Sequence, residues 1–220
     1  MIFQDRRDAG QALAATLATK DYDAPLVLAL PRGGVPVAIE VARTLKAPMD
    51  LVMVRKIGAP GQPELAVAAV VNGDDPQIVV NAAIARSFHL SQSDIEEMSN
   101  PRLEEIRRRR ELYLKGRRQV SPEGRTAIVI DDGIATGATV RASLRAVRAR
   151  KPARLVLAVP VAPPDVAQDL AAEVDELICL HRPQPFGAIG RFYADFAQTS
   201  DAEVIALLDE AESLAKQGQV

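Results

Sequence analysis

The sequence predicts an α/β fold with a Rossmann-like parallel sheet that carries helices on both faces. Its short apolar runs are continuous rather than alternating, which is typical of strands buried on both sides. Segments of helical periodicity separate these runs, and this alternation indicates βαβ units. The predicted strands are Leu26–Leu30, Leu51–Val54, Thr126–Ile130, Leu155–Pro160 and Leu177–Leu180. The predicted helices between them are Val35–Leu45, Thr139–Arg150 and Pro164–Glu173.

A β-hairpin and a C-terminal helix lie outside this alternation. The apolar segments Leu65–Val71 and Gln77–Val80 flank Asn-Gly-Asp-Asp at residues 72–75, and this turn signal predicts a hairpin. Asp201–Lys216 has the pattern of an amphipathic helix. Its apolar side would carry Val204, Leu207, Leu208 and Leu214.

A helical insertion is predicted at about residues 81–118, with its main helical segment in 91–116. Asn100 can cap a helix that begins at Pro101, and Gly116 can end it. The narrow apolar stripe of that helix would consist of Leu103, Ile106 and Leu112. We expect the four consecutive arginines at 107–110 to form a solvated face, paired with neighbouring glutamates.

Composition limits the class of protein. The 220 residues are enough for one α/β domain, which we expect to span residues 1–220. The net charge of −2 gives no basic surface, so nucleic acid is not an expected partner. Cys179 is the only cysteine, which excludes an internal disulfide and fits a reducing cytoplasm. No apolar run is long enough to span a bilayer, and the first residues lack the apolar core of a signal peptide.

The most informative segment runs from Thr126 to Thr139 and predicts a phosphate-binding loop. A buried strand ends at Asp131 and Asp132, and a loop of small and hydroxylated residues then leads into a helix. Small residues allow backbone N–H groups to approach a ligand, and the helix N-terminus attracts anions. The loop consists of Ala135, Thr136, Gly137, Ala138 and Thr139. An ordinary strand-to-helix turn with a capping Asp would explain neither the carboxylate pair nor both threonines.

From Ile128 to Thr139 the segment resembles the motif with which type I phosphoribosyltransferases bind phosphoribosyl pyrophosphate (PRPP). The resemblance implies that Asp131 and Asp132 meet the ribose hydroxyls and that residues 135–139 hold the 5-phosphate. It also implies that Mg²⁺ enters mainly through PRPP, without a metal cage made by the protein. The two isolated histidines give no metal-ligand spacing of their own.

Two further segments match the family in order along the chain. Pro31, Arg32, Gly33 and Gly34 follow the first predicted strand, where the family binds pyrophosphate. The resemblance implies a cis peptide bond between Pro31 and Arg32. Arg55 and Lys56 precede a segment rich in Gly and Pro, at the point where the family has a mobile lid. The resemblance implies that these two cations neutralise pyrophosphate; the alternative is that they are solvated cations at a strand end. We expect residues 57–63 to form this mobile loop and Glu64 to be a surface carboxylate.

The acceptor stays open at this stage. By resemblance, residues of about 181–220 form a hood over the base, in which Phe186 would stack and Tyr193 would line the pocket; core packing is an equal alternative for both. Ala135 replaces the Asp of hypoxanthine-guanine enzymes, which argues against a 6-oxopurine enzyme of that type.

Transfer of the 5-phosphoribosyl group from PRPP to a nitrogenous acceptor is therefore the leading hypothesis. Asp131, Asp132, Arg32 and Lys56 would be the catalytic residues. The alternative is a non-catalytic regulator of the same fold that senses PRPP or nucleotides. A homodimer is compatible with both.

Overall fold

The computed structural model describes residues 2–71, 77–117 and 119–217. The strands are β1 (Leu26–Ala29), β2 (Met49–Leu51), β3 (Val54–Ala59), β4 (Gln62–Val71), β5 (Gln77–Val80), β6 (Thr126–Ile130), β7 (Arg154–Val161) and β8 (Glu176–His181). The helices are α1 (Arg6–Leu17), α2 (Gly34–Leu45), α3 (Ala82–Ser87), α4 (Gln92–Leu114), α5 (Ala138–Ala149), α6 (Pro164–Ala171) and α7 (Asp201–Gln217), with a 3₁₀ turn at Ile189–Phe192. Whether residues 1–220 form one domain stays a prediction.

A parallel sheet forms the centre of the molecule and confirms the predicted fold class. Its strand order is β2-β1-β6-β7-β8. Successive side chains of a strand point to opposite faces, and the central strand β6 follows this rule: Ile128 and Ile130 pack with α1, α2 and α7, whereas Ala127 and Val129 pack with α5 and α6. Because both faces are covered, every residue of β6 is buried.

A separate antiparallel sheet has the strand order β3-β4-β5, and it includes the segment 57–63 that we expected to form a loop. The pairing of β4 with β5 confirms the predicted hairpin, and its turn at residues 72–75 lies outside the described residues. The predicted strand Leu51–Val54 is wrong, because β2 ends at Leu51 and Val54 begins β3 in the other sheet.

The expectation that residues 57–63 form a loop rather than strands is also wrong. Strands β3 and β4 pair across a turn at Pro60 and Gly61, and the register shifts at Gly58. Gly58 and Pro60 thus lie at a bulge and a turn, the positions where sheets tolerate them. The mobility of residues 57–63 stays a prediction, and the side chain of Glu64 lies outside the described ones.

Helix α4 begins nine residues earlier than predicted. Ser91 is its N-cap and forms a capping box with Asp94, whereas Asn100 and Pro101 lie in the helix interior. A proline there removes one backbone hydrogen bond, but Ile95 and Ile106 are buried on either side of it. Burial of these side chains stabilises the helix across Pro101. Its end is as predicted, with Gly116 in a left-handed conformation at φ 75°.

Two features of the helices differ from the predicted pattern. The stripe of α4 uses Tyr113, which is 2% exposed, rather than Leu112, which is 48% exposed. Helix α1 was not predicted, although Ala9, Leu13, Ala14 and Leu17 lie on its buried side. Its many alanines give a weak periodic signal, and Gly10 allows it to contact α2 closely. None of the described helices has the length and apolar character needed to cross a membrane.

The different surroundings of Ile106 and Leu112 give a test of this packing. Ile106→Ala leaves a cavity in the core and should lower the free energy of unfolding by about 2–5 kcal/mol. Leu112→Ala on the same helix is the matched control and should change it by no more than about 0.5 kcal/mol. Urea denaturation measures both values. Equal effects of the two substitutions would contradict the packing of α4.

Candidate active site

The loops after β1 and β6 lie side by side at the carboxyl edge of the parallel sheet. The two strands pair directly, with Ala29 opposite Ile130. A Cβ atom on Gly33 would lie 2.1 Å from Oδ2 of Asp132, and one on Gly34 would lie 2.7 Å from the Ile130 carbonyl oxygen. Only glycine fits at such distances without displacement of a neighbour. The structure therefore brings residues 30–34 (the Arg32 loop) against Asp131 and Asp132 (the acid pair).

Residues 135–139, the Thr136 loop, lead from the acid pair into α5. Gly137 occupies the N-cap position with φ 76°, and among the described residues no side chain caps this helix. The first N–H groups of a helix have no partner within it, so those of α5 can bind an anion. Ala135, Thr136, Ala138 and Thr139 are all exposed. The loop thus has the geometry of the predicted phosphate site.

The acid pair lies at the end of a buried strand, where keeping both carboxylates charged costs free energy. Burial and the neighbouring charge of Asp132 raise the pKa of Asp131 well above its usual range. Burial also raises the pKa of Asp132, while an ion pair with Arg6 opposes this rise. The backbone N–H of Asp132 donates to Oδ1 of Asp131 over 2.9 Å. Asp132 is 8% exposed, so this carboxylate belongs to the buried part of the strand end.

Arg6 and Tyr193 support Asp132 from the two ends of the chain. Nε of Arg6 donates to Oδ2 of Asp132 over 2.7 Å, and the hydroxyl of Tyr193 donates to the Asp132 carbonyl oxygen over 2.5 Å. The Tyr193 ring is buried between Phe3 and Phe196, so it packs in the core below the acid pair. No sequence signal pointed to Arg6, which is 126 residues from its partner.

Arg32 reaches the first turn of α7. The peptide bond between Pro31 and Arg32 is cis, which confirms the prediction. Nη1 of Arg32 lies 3.4 Å from Oδ1 of Asp201, and this oxygen also accepts a hydrogen bond of 2.5 Å from the Tyr113 hydroxyl. The Arg32 side chain stays 28% exposed. A phosphate group that binds to Arg32 would therefore compete with the Asp201 carboxylate.

Arg55 and Lys56 point to opposite faces of the antiparallel sheet, as neighbours on a strand must. Nε of Arg55 donates to Oε1 of Glu105 in α4 over 2.9 Å. Lys56 instead lines a cavity of about 260 Å³ against α5, together with Ala138 and Thr139 of the Thr136 loop. In this arrangement the two cations cannot both contact one pyrophosphate, and Lys56 is the one beside a predicted phosphate ligand.

The segment after β8 covers the far side of the acid pair. A Cβ atom on Gly133 would lie 2.7 Å from Cγ2 of Ile189, so the 3₁₀ turn packs directly on the β6 loop. Phe186 is partly exposed, and its ring lies 5.3 Å from that of Phe192. Contact between Phe186 and a base stays a prediction. Among the described residues, no group of three or more His, Cys, Asp or Glu side chains could hold a metal ion.

Known proteins resemble this chain over nearly its whole length. The profile of the phosphoribosyl transferase domain matches residues 4–195. A Mycobacterium tuberculosis protein that is provisionally named a phosphoribosyl transferase, recorded in strains CDC 1551 and H37Rv, is 46% identical over 210 residues. The match covers 96% of this chain and 47% of that protein, so the chain spans about half the length of the curated relatives it matches.

A solved structure is similar as well. The crystal structure of TT1426 from Thermus thermophilus superimposes with a TM-score of 0.87 at 43% identity, over 96% of this chain and 99% of that one. Together with the domain profile, these similarities confirm the resemblance that the phosphate loop suggested. The chain belongs to the phosphoribosyl transferase domain family.

Proposed function

We propose that the chain transfers the 5-phosphoribosyl group of PRPP to a nitrogenous acceptor, which we expect to be a nucleobase, and releases pyrophosphate. The contact between Gly33 and Asp132 is the observation that carries this proposal. It places a loop with an arginine on one side of the acid pair, and the Thr136 loop follows the pair on the other. PRPP has the same order of groups, with pyrophosphate and 5-phosphate at opposite ends of a ribose.

The acid pair supplies the chemistry at the ribose. As the bond between C1 and the pyrophosphate oxygen breaks, its electron pair leaves with pyrophosphate and positive charge develops on the ring. The lone pair of the acceptor nitrogen then forms the new bond to C1, and the ring N–H proton of the base passes to the released pyrophosphate or to water. A fixed carboxylate near this charge stabilises the transition state. Both carboxylates are suited to contact the ribose: Asp131 is partly buried, and Asp132 is buried with its Oδ2 bound to Arg6.

Cations supply the chemistry at the leaving group. Arg32 offers a guanidinium suited to phosphate oxygens. Lys56 lines the cavity beside the Thr136 loop, at the 5-phosphate end, so its contact with pyrophosphate stays a prediction. Mg²⁺ would enter with PRPP, coordinated mainly by phosphate oxygens and water rather than by a set of protein carboxylates. When bound with PRPP, Mg²⁺ would neutralise charge on the pyrophosphate. Exclusion of water by the tip of β3 and β4 would protect the reactive ring.

A cytoplasmic enzyme is consistent with the remaining features. Cys179 is partly buried, and burial raises the pKa of its thiol, as expected for an unreactive cysteine in a reducing compartment. The identity of the acceptor and the formation of a homodimer both stay predictions.

Release of pyrophosphate from Mg-PRPP, measured against a panel of nucleobases, tests the proposal. If PRPP binds but no acceptor releases pyrophosphate, the chain is the non-catalytic PRPP-sensing protein instead.

Asp131→Asn tests the catalytic assignment. The substitution removes the carboxylate charge at the ribose and should lower the rate of pyrophosphate release at least about a hundredfold. Asp169→Asn, at an exposed carboxylate of α6, is the matched control and should leave the rate unchanged. Wild-type turnover in Asp131→Asn would show that this carboxylate is not part of the reaction.

Thr136→Val tests the phosphate loop. Loss of a hydrogen bond to a charged phosphate costs about 1.5–3 kcal/mol, so the Kd for PRPP should rise about tenfold to a hundredfold. Thr19→Val, at an exposed threonine outside the site, should leave it unchanged. Isothermal titration calorimetry with PRPP measures both constants. Unaltered affinity in Thr136→Val would place the 5-phosphate elsewhere.

Asp201→Asn tests the competition at Arg32. The amide oxygen can still accept from Tyr113, but the charge that holds Arg32 is gone, so pyrophosphate should bind more tightly. Both side chains are partly exposed and such pairs contribute at most about 1 kcal/mol, so the gain should not exceed about fivefold. Asp209→Asn, on the exposed face of the same helix, is the control. Weaker binding of pyrophosphate to Asp201→Asn would argue that Asp201 supports Arg32 rather than competing for it.

A further inference from the structure

The structure assigns to Arg6 the role of a positioning residue that holds the Asp132 carboxylate in place for the ribose of PRPP. This inference rests on the proposed function and adds a residue that lies outside all three predicted motifs. Arg6 is the first residue of α1, far along the chain from the phosphate loop that it meets in the fold.

The Arg6 guanidinium is fixed by contacts in three directions. Its Nε donates to Oδ2 of Asp132 over 2.7 Å, and its Nη1 donates to the Ala197 carbonyl oxygen over 2.7 Å. Its Cζ lies 3.9 Å from the centroid of the Phe196 ring, which is within the range of a cation–π interaction. Both Arg6 and Asp132 have side chains that are only 12% exposed. A planar guanidinium with two bound nitrogens and a stacked face cannot rotate freely.

Asp132 has little freedom on its other sides. The Gly33 backbone lies against its carboxylate, and the Tyr193 hydroxyl holds its carbonyl oxygen. The charged groups that face it are Asp131, which repels it, and Arg6, which attracts it. Since Arg6 engages Oδ2, the orientation of the whole carboxylate, including Oδ1, follows from the orientation of Arg6.

A purely structural role for Arg6 does not explain this arrangement. The start of the chain is already held by backbone hydrogen bonds, from Phe3 N–H to the Phe192 oxygen and from Ala194 N–H to the Phe3 oxygen, each 2.8 Å long. Helix α1 is held along its length by close packing on α2 at Gly10. The Arg6 side chain is therefore not needed to dock α1, and of its contacts the one with Asp132 reaches the acid pair.

The ion pair has a direct consequence for the charge of the site. Burial raises the pKa of Asp132 and Arg6 lowers it, so loss of Arg6 must raise that pKa further. Arg6 also lowers the pKa of Asp131. Without Arg6, the acid pair would take up a proton at a higher pH, and a protonated pair stabilises positive charge on the ribose less well.

The test compares Arg6→Met, Arg6→Lys and a matched control, Arg7→Gln. Arg7 is the next residue of α1, is 52% exposed and has Glu40 and Glu210 as its ion-pair partners, at 3.7 and 3.9 Å. Carboxyl carbon NMR of ¹³C-aspartate protein, with Asp132→Asn for assignment, follows the titration of Asp132. Pyrophosphate release, measured across pH, gives kcat and KM for PRPP.

We expect the Asp132 midpoint and the acidic limb of kcat to move to higher pH in Arg6→Met. We also expect kcat to fall roughly tenfold or more, as for outer residues that orient a functional group, with a smaller change in KM. Arg6→Lys keeps the charge without the two-nitrogen contact and should lie between Arg6→Met and the wild type. Arg7→Gln should match the wild type in all of these measurements.

An Asp132 midpoint and acidic limb that do not move in folded Arg6→Met would overturn the inference, even if the chain is an active transferase. If Arg6→Met does not fold, the same measurements are made on Arg6→Lys, and an Asp132 midpoint and acidic limb that do not move there overturn the inference. The NMR titration needs no turnover. A wild-type protein that releases no pyrophosphate with any acceptor would therefore refute the proposed function, whereas an unmoved Asp132 midpoint refutes the role of Arg6.

Discussion

Two adjacent carboxylates at the end of a fully buried strand impose the constraint on which the rest of this structure depends. Removing a charge from water is expensive unless partners replace the solvent. For Asp131 and Asp132 the cost is visible in their raised pKa values. The surroundings reduce it with a cation and with backbone contacts. These partners come from several parts of the chain, because residues adjacent in sequence cannot surround a strand end.

This constraint explains why both ends of the chain meet at the acid pair. The arginine comes from α1, and the tyrosine and the ring beneath that arginine come from residues 193–196. Gly33 is also tied to the pair, since a Cβ there would strike the Asp132 carboxylate, and a Cβ on Gly133, the next residue after the pair, would strike Ile189. In the neighbouring Arg32 loop, Arg32 is held by Asp201. Both Arg6 and Arg32 thus have carboxylate partners in the described structure.

The sequence was sufficient for what depends on local pattern. Strand β6 was predicted correctly because all of its residues are buried and all but the threonine that begins it are apolar. The phosphate loop could be found because its small residues follow a carboxylate pair. The errors arose where tertiary contacts outweigh local signals. Pro101 predicts the start of a helix, yet α4 continues through it because the burial of Ile95 and Ile106 stabilises the helix on both sides. Gly58 and Pro60 predict a loop, yet a bulge and a turn accommodate them within paired strands.

Arg6 could not be found from the sequence, because an arginine at a helix start gives no indication of a partner 126 residues away.

The antiparallel sheet is anchored by packing at its base and exposed at its tip. Its strands β3 and β4 contact α4 on one face and α5 on the other, and Val67, Val70 and Val71 are buried between them. The base of the sheet therefore cannot swing away without exposing apolar surface. The exposed turn at Pro60 and Gly61 has no such restraint. If the predicted lid closes over a substrate, the movement must come from this tip, or from the sheet moving together with α4. In the second case Arg55 would travel with its partner Glu105, while Lys56, on the face toward α5, would close the gap to the Thr136 loop.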